Sequence, residues 1–187
     1  SRVSAGYYHS YALNETGVVQ CWGLDDGGRL DPPEGQYSEI SVGWYHTCGI
    51  TDRGMVSCWG MNTDGQADAP MISARQVSAG GLFSCALDES GEAICWGAGA
   101  YGQTDAPAGP FVNISAGAEH ICALRESGMV TCWGRDDRLQ TASPDDLLFT
   151  ALGMGLDHSC GVTTERRVVC WGQDNHGQSA PPPAFAP

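Results

Sequence analysis

Nine cysteines and five histidines carry the most reactive side chains in this 187-residue sequence. Eight of the cysteines form four pairs, Cys48/Cys58, Cys85/Cys95, Cys122/Cys132 and Cys160/Cys170, each ten residues apart around a turn. Residues so placed face each other across a hairpin, with Cα atoms about 4.5–5.5 Å apart, which is disulfide range. Four disulfides, and an oxidising compartment to keep them, are expected. Two other chemistries compete. His46-x-Cys48, His120-x-Cys122 and His158-x-Cys160 each place a histidine and a cysteine on one strand face. With the partner cysteine that offers three zinc ligands, but structural zinc sites use four and a close C-x₂₋₄-C spacing that is absent here. Reduced buried thiols are the third reading. Tyr11 stands where the partner of Cys21 would be, so Cys21 is either a buried inert thiol or one half of an intermolecular bond.

The other candidate groups read as structure. His9, His46, His120 and His158 recur at one place in a repeating unit, and Phe83 fills that place once. A position that accepts Phe suggests packing, with the ring bonded to a nearby backbone group. His176 falls in a loop. The acidic loop residues Asp25, Asp26, Asp64, Asp136, Asp137 and Asp174 could attract calcium, but they match no calcium loop, so solvated turns are expected. No G-x-S-x-G, H-E-x-x-H, phosphate loop or dinucleotide fingerprint occurs, and no nucleophile stands beside a base. The chain contains nine Arg and no Lys, and its formal net charge is −13. That excludes lysine-based catalysis and disfavours nucleic acid and anionic lipid, which need clustered cations. The expectation is a protein that is not an enzyme, with no cofactor, no bound metal, no nucleic-acid partner and no membrane insertion. The chain starts at Ser1 without a visible signal peptide, as a mature, processed or trimmed start would.

The elements that position these residues follow from an internal repeat. Cys-Trp-Gly begins at Cys21, Cys58, Cys95, Cys132 and Cys170, in steps of 37, 37, 37 and 38 residues. Gly6, Gly43, Gly80, Gly117 and Gly155 keep the same phase. So do Gln66, Gln103, Gln140 and Gln178, with Arg29 in the first copy, and a following proline. The units run over about 3–39, 40–76, 77–113, 114–151 and 152–187 of a single repeat domain, 1–187. In each, two short apolar runs flank a turn such as Thr51-Asp52-Arg53-Gly54, the mark of a β-hairpin. The I-S-A-G segment adds a third strand, and the stretch around Gly-Gln is the candidate fourth. Arg166 replaces the turn glycine in the fifth unit, which predicts a strained or altered turn. About four strands per unit, repeated five times, predict an all-β propeller of five blades with intra-blade disulfides.

The unit resembles the short repeats of the regulator-of-chromosome-condensation superfamily. It is similar to propeller-type β-lactamase-inhibitory protein and to the ectodomains of crinkly-type plant receptor kinases. That resemblance spans the whole chain and implies a β-propeller, commonly of seven blades. Five units then form a closed five-bladed ring, part of a larger one, or a ring completed by another chain. The family's fold hosts many activities and implies no single one.

For function, the residues just after each repeat glycine are the candidate binding face: Tyr7, Tyr8, Trp44, Tyr45, Leu82 and Phe83. Aromatic groups at a propeller mouth suit protein or sugar ligands. Two sequons, at Asn14 and Asn113, are glycosylation candidates. The expected function is an extracellular, non-enzymatic module, secreted or on a cell surface, that recognises a protein or carbohydrate. The alternative is a structural subunit of an extracellular assembly or filament built from copies of itself. Its motivation is Cys21 and the proline-rich end, Pro181 to Pro187.

Overall fold

The computed structural model describes residues 2–185. Fifteen strands form five separate three-stranded antiparallel sheets, one per repeat. Blade 1 holds β1 (Arg2–Ala5), β2 (His9–Leu13) and β3 (Val19–Gly23). Blade 2 holds β4 (Tyr37–Val42), β5 (His46–Thr51) and β6 (Val56–Gly60). Blade 3 holds β7 (Ala74–Ala79), β8 (Phe83–Asp88) and β9 (Ala93–Gly97). Blade 4 holds β10 (Asn113–Ala116), β11 (His120–Leu124) and β12 (Val130–Gly134). Blade 5 holds β13 (Phe149–Met154), β14 (His158–Thr163) and β15 (Val168–Gly172). Among the described residues there is no helix, and so none long and apolar enough to cross a membrane.

Each blade forms for the reason its repeat suggests. Glycine in the hairpin turn supplies a positive φ, as at Gly54 (φ 78°). Asn14 and Asp88 brace their turns by accepting backbone N–H groups, from Thr16 and Val18 and from Ser90 and Glu92 respectively. The fifth turn keeps the same shape with Arg166 held at φ 64°, a conformation that costs a non-glycine residue about 1–2 kcal/mol. In-register pairing sets Cys48 opposite Cys58, Cys85 opposite Cys95, Cys122 opposite Cys132 and Cys160 opposite Cys170. All four pairs are disulfides, with Cα atoms 4.0 to 4.1 Å apart. In blade 1 Tyr11 faces Cys21 instead.

The stretch around Gly-Gln is not a fourth strand. It is a turn closed by its own side chains: the Gln66 amide oxygen accepts the Asp64 N–H, and the Asn62 amide oxygen accepts the Ala67 N–H. Asp136 and Asp174 cap the equivalent loops by accepting N–H groups from Thr141 and Ser179. These two loop carboxylates thus brace turns, and among the described residues no group of three or more His, Cys, Asp or Glu is placed to hold a metal ion.

The blades pack in sequence order, and the core lies between them. Each interior interface seats the tryptophan of one blade on the hairpin of the blade before. Trp96 packs on Cys48 and Cys58, Trp133 on Cys85 and Cys95, and Trp171 on Cys122 and Cys132. The indole N–H groups donate to the carbonyls of Gln66 (2.9 Å), Gln103 (3.1 Å) and Gln140 (2.9 Å). A hydroxyl makes a second link. Ser84 and Ser159 donate to the Gln66 and Gln140 carbonyls, and His46 Nε2 (2.7 Å) and His120 Nε2 (2.9 Å) lie on those hydroxyl oxygens. With the hydroxyl proton committed, the histidines are the donors. Their partner is therefore a side chain of the next blade, not a backbone group of their own.

Candidate functional site

The inner strands β1, β4, β7, β10 and β13 converge on one open cleft of about 460 Å³, bordered by Gly6, Gly43, Gly80, Gly117 and Gly155. The glycines are there because backbones and rings meet closely. A Cβ on Gly43 would lie 2.3 Å from the Gly80 carbonyl oxygen and 2.7 Å from the His46 ring. The floor of the cleft is consequently small-residue backbone, and its character comes from the rim.

The rim is aromatic on one side only. Tyr7 and Trp44 stand at the mouth from blades 1 and 2, where blades 3 and 4 carry Gly81 and Ala118 and blade 5 carries Leu156. Tyr7 lies 4.4 Å from Tyr8, 6.2 Å from Trp44 and 6.3 Å from Tyr45, centroid to centroid. Trp44 and Tyr45 meet edge to face at 6.3 Å, the arrangement aromatic quadrupoles favour. Tyr7 and Tyr8 are 61% and 53% exposed, Trp44 and Tyr45 are half-buried, and Leu156 is 54% exposed. Trp44 lies over Gly81, where a Cβ would stand 3.3 Å from its ring atoms. From below, the Arg29 guanidinium sits 5.4 Å from the Tyr45 ring centre, a cation–π contact. Arg29 is itself buried and held by Asp26 at 3.5 Å. Mutual proximity of Tyr7 raises the Tyr8 hydroxyl pKa above the ordinary tyrosine value.

Leu82 is half-buried and is not among the residues that border the cleft, and Phe83 does not belong to the rim either. Phe83 is fully buried, because Gly80 and not Gly81 is in phase with Gly6. Phe83 therefore occupies the histidine position, one residue beyond the rim, and packs with Ile121 in the blade 3–4 core. Tyr11 replaces more than a cysteine. Its hydroxyl accepts the Trp59 indole N–H at 2.7 Å and donates to the Arg29 carbonyl, relaying the bond that a Gln carbonyl accepts directly elsewhere. Cys21 is a half-buried free thiol that donates to the Leu30 carbonyl, and burial raises its pKa. Asn14 is exposed in its turn, whereas Asn113 opens β10, half-buried and paired with Leu124.

The histidines lie behind the cleft. Burial lowers the pKa of His9, His46 and His120 to about 4, so they are neutral near pH 7, and their Nδ1 atoms have no partner. Their geometry is that of inter-blade ties. What the cleft presents is a hydrophobic stacking surface with phenolic edges. The Ser/Thr acceptors of the histidines escape a reading of single repeats, since they lie 38 or 39 residues away. A signal for them exists: Ile121 replaces the hydroxyl residue in the blade after Phe83 replaces the histidine.

The family pattern described as the regulator of chromosome condensation (RCC1) repeat matches residues 1–29, 37–66, 74–103, 111–140 and 149–178. A sequence search against characterised proteins returns no significant match. Among solved structures, the crinkly ectodomain of the receptor kinase ACR4 from Arabidopsis thaliana is 26% identical, with a TM-score of 0.76 over 91% of this chain and 62% of that one. The entire ectodomain of the receptor kinase CR4 from Physcomitrella patens is 28% identical, with a TM-score of 0.78 over 91% of this chain and 49% of that one. Prp20p from Saccharomyces cerevisiae, a protein with binding properties to Gsp1p and histones, is 17% identical and shares the fold, with a TM-score of 0.80 over 99% of this chain and 60% of that one. The chain thus spans less than two thirds of each of these proteins. Its disulfides and its ectodomain neighbours point to an extracellular setting. By the repeat pattern that runs through all five blades, the chain belongs to the regulator of chromosome condensation (RCC1) repeat family.

Proposed function

We propose that the chain is a secreted or cell-surface recognition module that holds a protein or carbohydrate ligand across the aromatic side of its central cleft. One observation carries this reading: Tyr7, Tyr8, Trp44 and Tyr45, from two consecutive blades, form a single partly exposed cluster at the rim. Tyrosine and tryptophan supply large contact area with little entropy to lose, and their flat faces match sugar rings and prolines alike. The chain's net charge of −13 disfavours anionic ligands.

The test is a glycan array and a display library of short peptides, each probed with the wild-type chain and with the Tyr7→Ala/Trp44→Ala double variant. Binding by the wild type that the variant loses supports the reading. Equal binding by both places recognition elsewhere on the ring. A second reading, a structural subunit of an extracellular assembly, is favoured by the exposed faces of blades 1 and 5. Its other motivation, the proline-rich end, is weaker. Pro182 and Phe185 fold back on blade 5, where the Val168 N–H donates to the Phe185 carbonyl, and Ala186 and Pro187 lie outside the described residues.

A further inference from the structure

The face that carries the rim combines stacking surface with negative charge. The loop after each Trp-Gly stands beside the rim of its own blade: the N–H groups of Leu24, Met61, Ala98 and Arg135 donate to the carbonyls of Tyr8, Tyr45, Leu82 and Glu119. These loops bring Asp25, Asp26, Asp64, Asp136 and Asp137 to that face, all exposed. Of the nine arginines, only Arg29, Arg135 and Arg138 lie on them. Arg29 is buried on Asp26, and Arg135 is engaged by Glu119 and Asp137. Asp25, Asp64 and Asp136 have no ion-pair partner among the described residues. The cleft inside the loops is different. Apart from Tyr7 and Trp44, its border is Gly, Ala, Val, Met and Leu. Two cations of the chain already lie against rings on this face. Arg29 is 5.4 Å from the Tyr45 ring centre and Arg135 is 5.1 Å from that of Tyr101. No cation among the described residues stacks on Tyr7 or Trp44.

We infer that the rim takes a basic segment of a protein ligand, with an arginine or lysine laid across Tyr7 and Trp44, its alkyl stem on the apolar border of the cleft and its charged end toward Asp25 and Asp64. The inference rests on the recognition reading above and narrows its ligand. Three properties of the face select this occupant. Long cationic side chains join an apolar stem to a charged head, which matches an apolar cleft set inside acidic loops. A cation is attracted to the faces of Trp and Tyr, as Arg29 and Arg135 are to Tyr45 and Tyr101. The loop carboxylates draw a basic partner in and repel an acidic one. A sugar would instead need several polar groups converging on the cleft to fix its hydroxyls. Among the described residues that border it, only Tyr7 and Trp44 have a side-chain O–H or N–H. Tyr7 leans on Trp44 and Tyr45 of blade 2, and Trp44 lies over Gly81 of blade 3. These rings are therefore held by blades of this chain, whatever adjoins its ends.

The test is fluorescence anisotropy of the oxidised chain with short labelled peptides of equal length that alternate proline with arginine, lysine, citrulline or glutamate. The arginine peptide is expected to bind about tenfold or more tightly than its uncharged citrulline isostere, and the glutamate peptide weakest of all. Tyr7→Ala/Trp44→Ala is expected to cost the arginine peptide about tenfold. Asp25→Asn/Asp64→Asn is expected to cost about threefold and to flatten the dependence on salt. That second variant changes exposed loop side chains only, so it tests the inference even if Trp44→Ala disturbs the fold. Equal binding of the arginine and citrulline peptides overturns the inference. So does an arginine peptide that fails to bind, or one held equally by the wild type and Tyr7→Ala/Trp44→Ala, since bulk charge would then account for it. A glycan or uncharged peptide that the wild type holds and that variant loses, with no gain from arginine, overturns the basic ligand and leaves the recognition reading standing.

Discussion

Blades 2 to 4 and blades 1 and 5 are built from the same repeat yet sit in different physical surroundings. In the interior, Cys48, Cys85 and Cys122 are fully buried, and each disulfide lies under a tryptophan of the next blade. At the ends, Val3 is 81% exposed, Trp22 is 53% exposed and Cys160 is half-buried. The repeat therefore does not specify burial; the neighbour does. A blade is a small sheet with little core of its own, stapled by a disulfide and completed by what stacks on it.

Removing one tryptophan at a time separates the two surroundings. Trp133→Ala empties a seat among Phe111, Cys85 and Cys95 and is expected to cost about 3–5 kcal/mol in denaturant unfolding. The same change at exposed Trp22 is expected to cost under about 0.5 kcal/mol. Equal losses would mean that the end blade is covered. Next in size is Tyr11→Phe. It strips the relay between Trp59 and the Arg29 carbonyl and is expected to cost about 1–3 kcal/mol through unpaired buried polar groups. Calorimetry would read it as a lower Tm, and no change would show that Trp59 reaches another acceptor.

A smaller and graded effect comes from pH. His9, His46 and His120 have pKa values lowered from 6.5 to about 4 by burial. The unfolded chain takes up protons below pH 6.5 that the folded chain refuses. The stabilisation is complete above pH 6.5 and is lost as pH falls through 4. Tm is expected to decline across that window, and the paired change His46→Phe with Ser84→Ile should flatten the decline. An unaltered slope would place the acid sensitivity elsewhere. Glu39, whose pKa burial raises, acts in the opposite sense and does not explain a loss.

Much of the blade was legible in the sequence, because its markers are local. The ten-residue cysteine spacing straddles one turn, and the repeat glycines and tryptophans keep one phase. The links between blades were less legible. The histidine partners are one repeat away, and the carbonyls of Gln66, Gln103 and Gln140 are backbone atoms that no residue type announces. The Gly-Gln stretch forms a turn and not a strand because side chains of its own loop, such as Gln66 and Asn62, cap its backbone N–H groups. The rim was legible in part: Tyr7, Tyr8, Trp44 and Tyr45 converge. Phe83 does not join them, because it fills the histidine place of its unit and packs into the blade 3–4 core.

Stability thus follows neighbours from blade to blade. Hydrogen exchange read by mass spectrometry, at a concentration where the chain is monomeric, tests it most directly. Slow exchange is expected in β5, β8 and β11, which are covered on both sides, and markedly faster exchange in β1, β3 and β15. Uniform protection through all five blades would contradict it and would mean that blade 5 closes on blade 1.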